Sequence, residues 1–246
     1  MTLWNPESDA ALDFLFEEPS GDPVADLGRG LDLLRQVQRG ERPGLLRFYR
    51  PDPTLAFGQR DVRMAGYEQA VAASTAHGFA PVVRKAGGRA AAYHRGTLIV
   101  DHIEPHSEAI LGHQRRFEVF GELYAQALRQ LGVQARVGAI PGEYCPGDFS
   151  VHGLPTELSR SAVPVKLVGT AQRVIAGAWL FSSVFVIEDS APIRAVLDAV
   201  YQAMDLEMDP STAGAADDMV PGVNVEDFID ALLSEYRQHT TVNELV

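Results

Sequence analysis

The sequence predicts an α+β fold in which a mixed, mainly antiparallel sheet is flanked by helices. Three observations predict it. Strand-like runs arrive in adjacent pairs more often than they alternate with helices, which argues against a doubly wound parallel sheet. Five segments read as helices. No internal repeat divides the 246 residues, and a chain of that length buries roughly 70–75% of its unfolded surface, enough for a full core without staples.

Taken in order, Asp22-Pro23 has the form of an N-cap followed by proline at the first helical position. Val24, Leu27, Leu31, Leu34 and Val37 follow at helical spacing until Gly40, giving a helix over about 22–39. Leu45 to Tyr49 and Thr54 to Phe57 read as a hairpin turned at Pro51-Asp52-Pro53. Gly66 to His77 is an alanine-rich helix closed by Gly78, and Pro81 to Arg84 runs as a strand into Gly87-Gly88. Thr97 to Val100 is the strand leaving that glycine loop. Phe117, Phe120, Tyr124, Ala127, Leu128 and Leu131 mark one face of a helix stopped at Gly132.

The second half continues the mixture. Val133 to Val137, Phe149 to Val151, Lys166 to Val174 and Gly177 to Ile187 read as strands, the last two as a hairpin. Ser190 caps a helix carrying Ile193, Val196, Leu197, Val200, Tyr201 and Met204. The acidic, small-residue stretch 205–222 reads as a linker or loop. Within 223–246, Asn224 caps a last helix whose Val225, Phe228, Ile229, Leu232, Leu233 and Tyr236 form one apolar stripe, expected to dock on the main domain, 1–204.

Composition narrows the function. A net charge of -12 argues against nucleic acid, whose phosphates require a basic surface. No stretch approaches the ~20 apolar residues that span a membrane. One cysteine and no export-like segment at the N-terminus fit a reducing cytoplasm.

That cysteine is the main functional clue. Cys145 lies in Glu143-Tyr144-Cys145-Pro146-Gly147-Asp148-Phe149-Ser150, where Pro-Gly predicts a turn that presents the thiol to a substrate. Lys166, one of only two lysines in an arginine-rich chain, opens Lys166-Leu167-Val168-Gly169-Thr170-Ala171-Gln172-Arg173. A compact ammonium near a thiol stabilises the nucleophilic thiolate.

A second clue is Arg84-Lys85-Ala86-Gly87-Gly88-Arg89-Ala90. Paired glycines permit positive φ and let backbone N–H groups approach a ligand, while Arg84, Lys85 and Arg89 add positive charge. With Arg95, four positive charges fall in twelve residues, which makes this loop the best surface for an acidic carrier. His94 and His102 are plausible bases, but neither has metal-like spacing with another ligand, and no metal site is expected.

These motifs, with Gly96-Thr97-Leu98 between them and Phe57-Gly58-Gln59-Arg60-Asp61 ahead of them, occur in the order seen in the biotin/lipoate protein ligase superfamily. The chain most resembles its cysteine-dependent octanoyltransferase branch, and within that branch the group that moves an acyl chain from one lipoyl domain, that of the glycine cleavage H protein, to another. The similarity spans roughly residues 45 to 190. It implies the ligase catalytic-domain fold, Cys145 and Lys166 as catalytic residues, and substrate contacts from Arg84, Gly87, Gly88, Arg89, Gly147, Gly169 and Gln172. Implied partners are lipoyl-domain proteins (the glycine cleavage H protein, the E2 subunit of 2-oxoacid dehydrogenases) or acyl carrier protein, with no cofactor.

The departures are specific. Family ligases usually carry a third glycine where this chain has Arg89, and an asparagine where it has Ile99. Both changes weaken the case for ATP-dependent adenylate chemistry. The stretch 151–164 is longer than in the family and could alter the choice of acceptor, and the ligases' accessory domain is expected to be missing.

The expected chemistry is a thioester on Cys145 that splits one difficult acyl transfer into two easier steps. Lys166, with Lys85 as the weaker competitor, would hold the thiolate or donate to the acyl carbonyl. A backbone N–H from the Gly87-Gly88 or Cys145-Gly147 region would complete an oxyanion site. Leu98, Val100, Leu167 and Val168 could line an apolar acyl slot. The alternatives are an ATP- and magnesium-dependent lipoate-protein ligase and a non-catalytic acyl-binding relative.

Overall fold

The computed structural model describes residues 2–5, 10–85 and 87–244, so Ala86 of the glycine loop and the last two residues of the C-terminal segment lie outside them. The strands are β1 (Leu12–Glu17), β2 (Leu45–Tyr49), β3 (Thr54–Phe57), β4 (Ala80–Val83), β5 (Ala91–Tyr93), β6 (Thr97–Pro105), β7 (Gln134–Val137), β8 (Val151–Leu154), β9 (Val165–Ile175), β10 (Ala178–Val186) and β11 (Val242–Glu244). The helices are α1 (Pro23–Gln38), α2 (Tyr67–Ala76), α3 (His113–Gln130), α4 (Ser190–Ala203), α5 (Ala216–Met219) and α6 (Val225–Arg237).

Eight strands form one sheet in the order β11-β1-β2-β6-β10-β9-β8-β7, and β4-β3-β5 form a second. From β2 to β7 every neighbouring pair of the large sheet is antiparallel. Only the β1 edge, with β11 and β2, is parallel. The mainly antiparallel α+β expectation therefore describes the molecule.

Alternation along the strands assigns the two faces of the large sheet. Leu98 and Val100 of β6 and Trp179, Phe181 and Phe185 of β10 pack with Phe120, Tyr124 and Leu128 of α3 and Phe228, Leu232 and Tyr236 of α6. Residues one position along face the other way. Ile103, Leu180 and Leu45 meet Leu33, Leu34 and Val37 of α1. The small sheet, α2 and α4 share a third cluster with Ile99 and Tyr144.

Caps behave as the side chains dictate. Asp22 accepts the Val24 amide at 2.9 Å, and Asn224 accepts the Asp227 amide at 2.8 Å. Val24, counted in the apolar face of α1, is instead exposed.

Several expectations need correction. Thr54–Phe57 does not return on Leu45–Tyr49, because Pro51-Asp52-Pro53 carries the chain from the large sheet into the small one, where β3 pairs with β4 and β5. Phe149 stands outside β8, its ring stacked on Phe117 at 5.3 Å. Ser190 is not the cap of α4; Asp189 takes that position with φ +55° and no capping side-chain bond. The stretch 205–222, read from composition as a linker or loop, packs against the site. A 3-10 turn at Pro210–Thr212 and α5 bury Ala213, Ala215, Ala216 and Met219; Ala213 bridges to Lys166 of β9, and Met219 packs on Gly153 of β8.

Candidate active site

The 138–150 segment between β7 and β8 holds the cysteine in place through one buried carboxylate. Glu143 accepts the Gly147 amide at 3.0 Å, the Ser150 hydroxyl at 2.9 Å and the Lys166 ammonium at 3.3 Å. The same ammonium donates to the carbonyls of Tyr144 at 3.0 Å and Cys145 at 2.7 Å. Burial pushes Lys166 below its ordinary pKa of 10.5, against the opposing pull of Glu143. Cys145 sits at φ +43°, a left-handed conformation that a non-glycine residue keeps only when its surroundings determine it. One such constraint is Tyr201 of α4, whose hydroxyl accepts the Cys145 amide at 2.8 Å and donates to the Ala90 carbonyl at 3.0 Å.

The glycine loop closes over the sulfur. The Arg89 amide donates to Cys145 Sγ at 3.1 Å, and Arg84 Nη2 lies 3.8 Å from it. Gly88 has φ +94°, and a Cβ there would come within 2.8 Å of the sulfur and 2.6 Å of Arg84 Nη2, so both backbone and space require glycine. Gly87 has open space around it. Gly58 passes so near the Gly88 carbonyl that a Cβ would fall 1.9 Å from it.

A cavity of about 440 Å³ extends from this corner along the α1 side of the large sheet. Arg84, Lys85, Gly87, Gly88, Cys145, Gly147, Lys166, Gly169 and Gln172 all line it. Arg89 does not, because its guanidinium turns to Asp61 at 3.1 Å. Gln172 is at the rim with its amide already engaged, accepting from Arg116 at 2.7 Å and donating to the His113 carbonyl at 3.1 Å. Lys166 therefore reaches the backbone of the cysteine loop, while the contacts to the sulfur come from Arg84 and Arg89.

The proposed apolar slot lies on the other face. Leu98, Val100, Leu167 and Val168 belong to the core against α3, and the cavity wall is formed by Leu27 and Leu31 of α1 with Ile99, Leu180 and Val184. On β6 a one-residue change in the assigned face accounts for this, since Ile99, between Leu98 and Val100, is the residue that turns to the cavity. Neither His94 nor His102 lines the cavity. His94 bonds to the Asp189 carbonyl at 2.8 Å, and His102 bonds to Glu104 at 2.7 Å in the opposite core.

Three further residues of the site were given no role from the sequence: Glu143, Tyr201 and Asp61. Glu143 opens the cysteine motif and Asp61 ends the Phe57–Asp61 motif, but only the fold supplies their partners. Tyr201 reads as one more apolar helical position. Among the described residues no group of three or more His, Cys, Asp or Glu could hold a metal ion, and no helix is long and apolar enough to cross a membrane.

Comparison with known proteins agrees with this architecture. The chain is 25% identical over 193 residues to octanoyl-(GcvH):protein N-octanoyltransferase of Geobacillus kaustophilus, covering 78% of this chain and 64% of that protein, so it spans somewhat under two thirds of that relative. The enzyme of the same name from Bacillus velezensis is 26% identical over 221 residues, covering 84% and 73%. Among solved structures, a lipoate-protein ligase A bound with ATP has a TM-score of 0.72 at 19% identity, covering 96% of this chain and 90% of that one. A bipartite lipoate protein ligase from Thermoplasma acidophilum, solved in a study of it and its E2 lipoyl domain, has a TM-score of 0.68 at 18% identity, covering 97% and 88%. These likenesses show the fold. The profile of the lipoyl protein ligase A/B catalytic domain matches residues 26–237, nearly the whole chain, and the chain belongs to that family.

Proposed function

We propose that the chain is an acyltransferase that moves an octanoyl or lipoyl group, through a thioester on Cys145, to a lysine of a lipoyl domain. The observation that carries this reading is the position of the sole cysteine. Its sulfur is half-buried, contacted by a backbone N–H and a guanidinium, at the end of a cavity with apolar walls. Such surroundings suit a nucleophilic thiolate and a medium-length acyl chain. The names of the Geobacillus and Bacillus relatives, which specify octanoyl transfer involving GcvH, support the same substrate class.

In the first step the Cys145 thiolate attacks the acyl carbonyl carbon. A C–S bond forms, the bond from that carbon to the donor's nitrogen or sulfur breaks, and an amine leaving group takes up a proton. In the second step the acceptor lysine amine attacks the thioester carbonyl. A C–N bond forms, the C–S bond breaks, the amine loses a proton and the thiolate is regenerated. The donor is an acylated lipoyl domain, such as that of the glycine cleavage H protein, or an acyl carrier protein. Lipoyl domains of H protein or E2 type are the acceptors. Lys166 serves this chemistry by holding the Cys145 carbonyl, and with it the strained turn.

The test is transfer from octanoylated H protein to an E2 lipoyl domain, without ATP, by the parent and by Cys145→Ala. The parent is expected to transfer and the variant to lose at least roughly 100-fold, the scale on which removal of a nucleophile is felt. Transfer that requires ATP and magnesium and ignores Cys145→Ala would identify a ligase instead.

A further inference from the structure

The contacts of the sulfur and of the lysine fall on different atoms. Lys166 directs its donors to Glu143 and to the carbonyls of Tyr144 and Cys145. The sulfur meets Arg84 Nη2 and the Arg89 amide. Arg84 has no carboxylate partner among the described residues. Its other contacts are the Arg89 carbonyl at 2.7 Å and the Tyr93 hydroxyl at 3.4 Å, and its buried Nε has no hydrogen-bond partner. A guanidinium that forgoes an ion pair and lies against a thiol is charged toward that thiol.

Arg89 adds a second arrangement. Asp61 has a side chain with no exposed surface. One of its oxygens accepts the Gly58 amide at 2.8 Å and the other the Arg89 guanidinium at 3.1 Å. The carboxylate thus ties the end of β3 to the residue whose own backbone N–H points at the sulfur. A glycine at this position could not make that tie.

We propose that Arg84 and the Arg89 backbone N–H, rather than Lys166, are the electrostatic partners of the Cys145 thiolate, and that the Asp61–Arg89 ion pair is the positioning device that fixes that N–H. The assignment rests on the reading of Cys145 as the nucleophile. The other ionisable groups around the sulfur do not compete for the role. Tyr93, Tyr144 and Tyr201 are kept neutral by burial, and Glu143 opposes the charge of Lys166.

The experiment is the rate of Cys145 alkylation by iodoacetamide across pH, with no acyl donor present, in the parent, Arg84→Gln, Arg84→Lys, Asp61→Asn and the exposed control Arg95→Gln. Thermal melts monitor folding. Arg84→Gln is expected to slow alkylation about tenfold or more at neutral pH and to displace the pH profile upward, as loss of a neighbouring cation does. Arg84→Lys should recover part of the rate, Asp61→Asn should slow it by a few-fold, and Arg95→Gln should match the parent. Parental profiles in folded Asp61→Asn and Arg84→Gln would overturn the proposal. Should Arg84→Gln not fold, Arg84→Met, which also removes the charge, decides the matter with Asp61→Asn by the same criterion. Because no acyl donor is used, failure here differs from failure of the nucleophile reading, which would show as absence of acyl transfer to Cys145 with the thiol profiles shifted as expected.

Discussion

At the scale of single residues, Lys166 shows what sequence could and could not give. Its rarity beside a lone cysteine marked both positions, and both reach one cavity. Which atoms it would touch was not legible, because Glu143 becomes its partner only when the 138–150 segment folds over β9. The side chains of Lys166 and Glu143 are 2% and 0% exposed, and breaking a buried pair by removing one partner costs on the order of 3–5 kcal/mol. Lys166→Ala is therefore expected to lose roughly 100-fold in transfer and also to melt lower, by about 6–12 °C for a cost of about 3 kcal/mol in a chain of this size. Lys85→Ala should melt with the parent. Differential scanning calorimetry beside the transfer assay checks both. An unchanged melt with full activity in Lys166→Ala would place the ammonium outside the account.

At the scale of elements, the helices were legible because their caps and apolar faces are local in sequence, as at Asp22 and Asn224. What was missed depends on distant pairing. β1 went unread because Leu12, Phe14 and Phe16 alternate with Asp13, Leu15 and Glu17, a mixed signal that becomes a strand only between β11 and β2. Its last residue anchors a buried network in which Arg47 of β2 donates to Glu17 at 2.5 Å and to Asp101 of β6 at 3.0 Å. Burial raises the Glu17 carboxyl, but the Arg47 and Arg29 guanidiniums outweigh it and hold the group below its ordinary 4.5. A depressed folded-state pKa contributes stability that is present above the unfolded value and lost as pH falls through the folded one. Glu17→Gln should thus melt below the parent at neutral pH, and the gap should close as pH falls below about 4.5. A gap that persists unchanged at low pH would show that Glu17 acts through packing alone.

At the scale of the whole molecule, a net charge of -12 surrounds a cationic loop, and the fold redistributes that loop's charges. Arg84 turns toward the sulfur, Arg89 pairs with Asp61, and Arg95 pairs with Asp52 and Glu18. Lys85 is left exposed at the cavity wall, without an ion pair among the described residues. Arg89→Glu, the obvious variant from sequence, would break a structural tie; Lys85→Glu is the cleaner probe of docking. The apparent KM for a protein donor or acceptor should rise with salt, as steering by exposed charge weakens when the Debye length falls to ~3 Å, and should rise further in Lys85→Glu. Salt-independent KM values, unaltered in Lys85→Glu, would move docking to another surface.

The central claim is that Cys145 carries the acyl group, and it is tested most directly by intact-mass measurement of the protein after mixing with octanoylated H protein or octanoyl-acyl carrier protein in the absence of ATP. The account predicts a single added octanoyl mass that is removed by hydroxylamine and absent in Cys145→Ala. Acyl transfer that proceeds without any adduct, or an adduct of the same mass on Cys145→Ala, would contradict it.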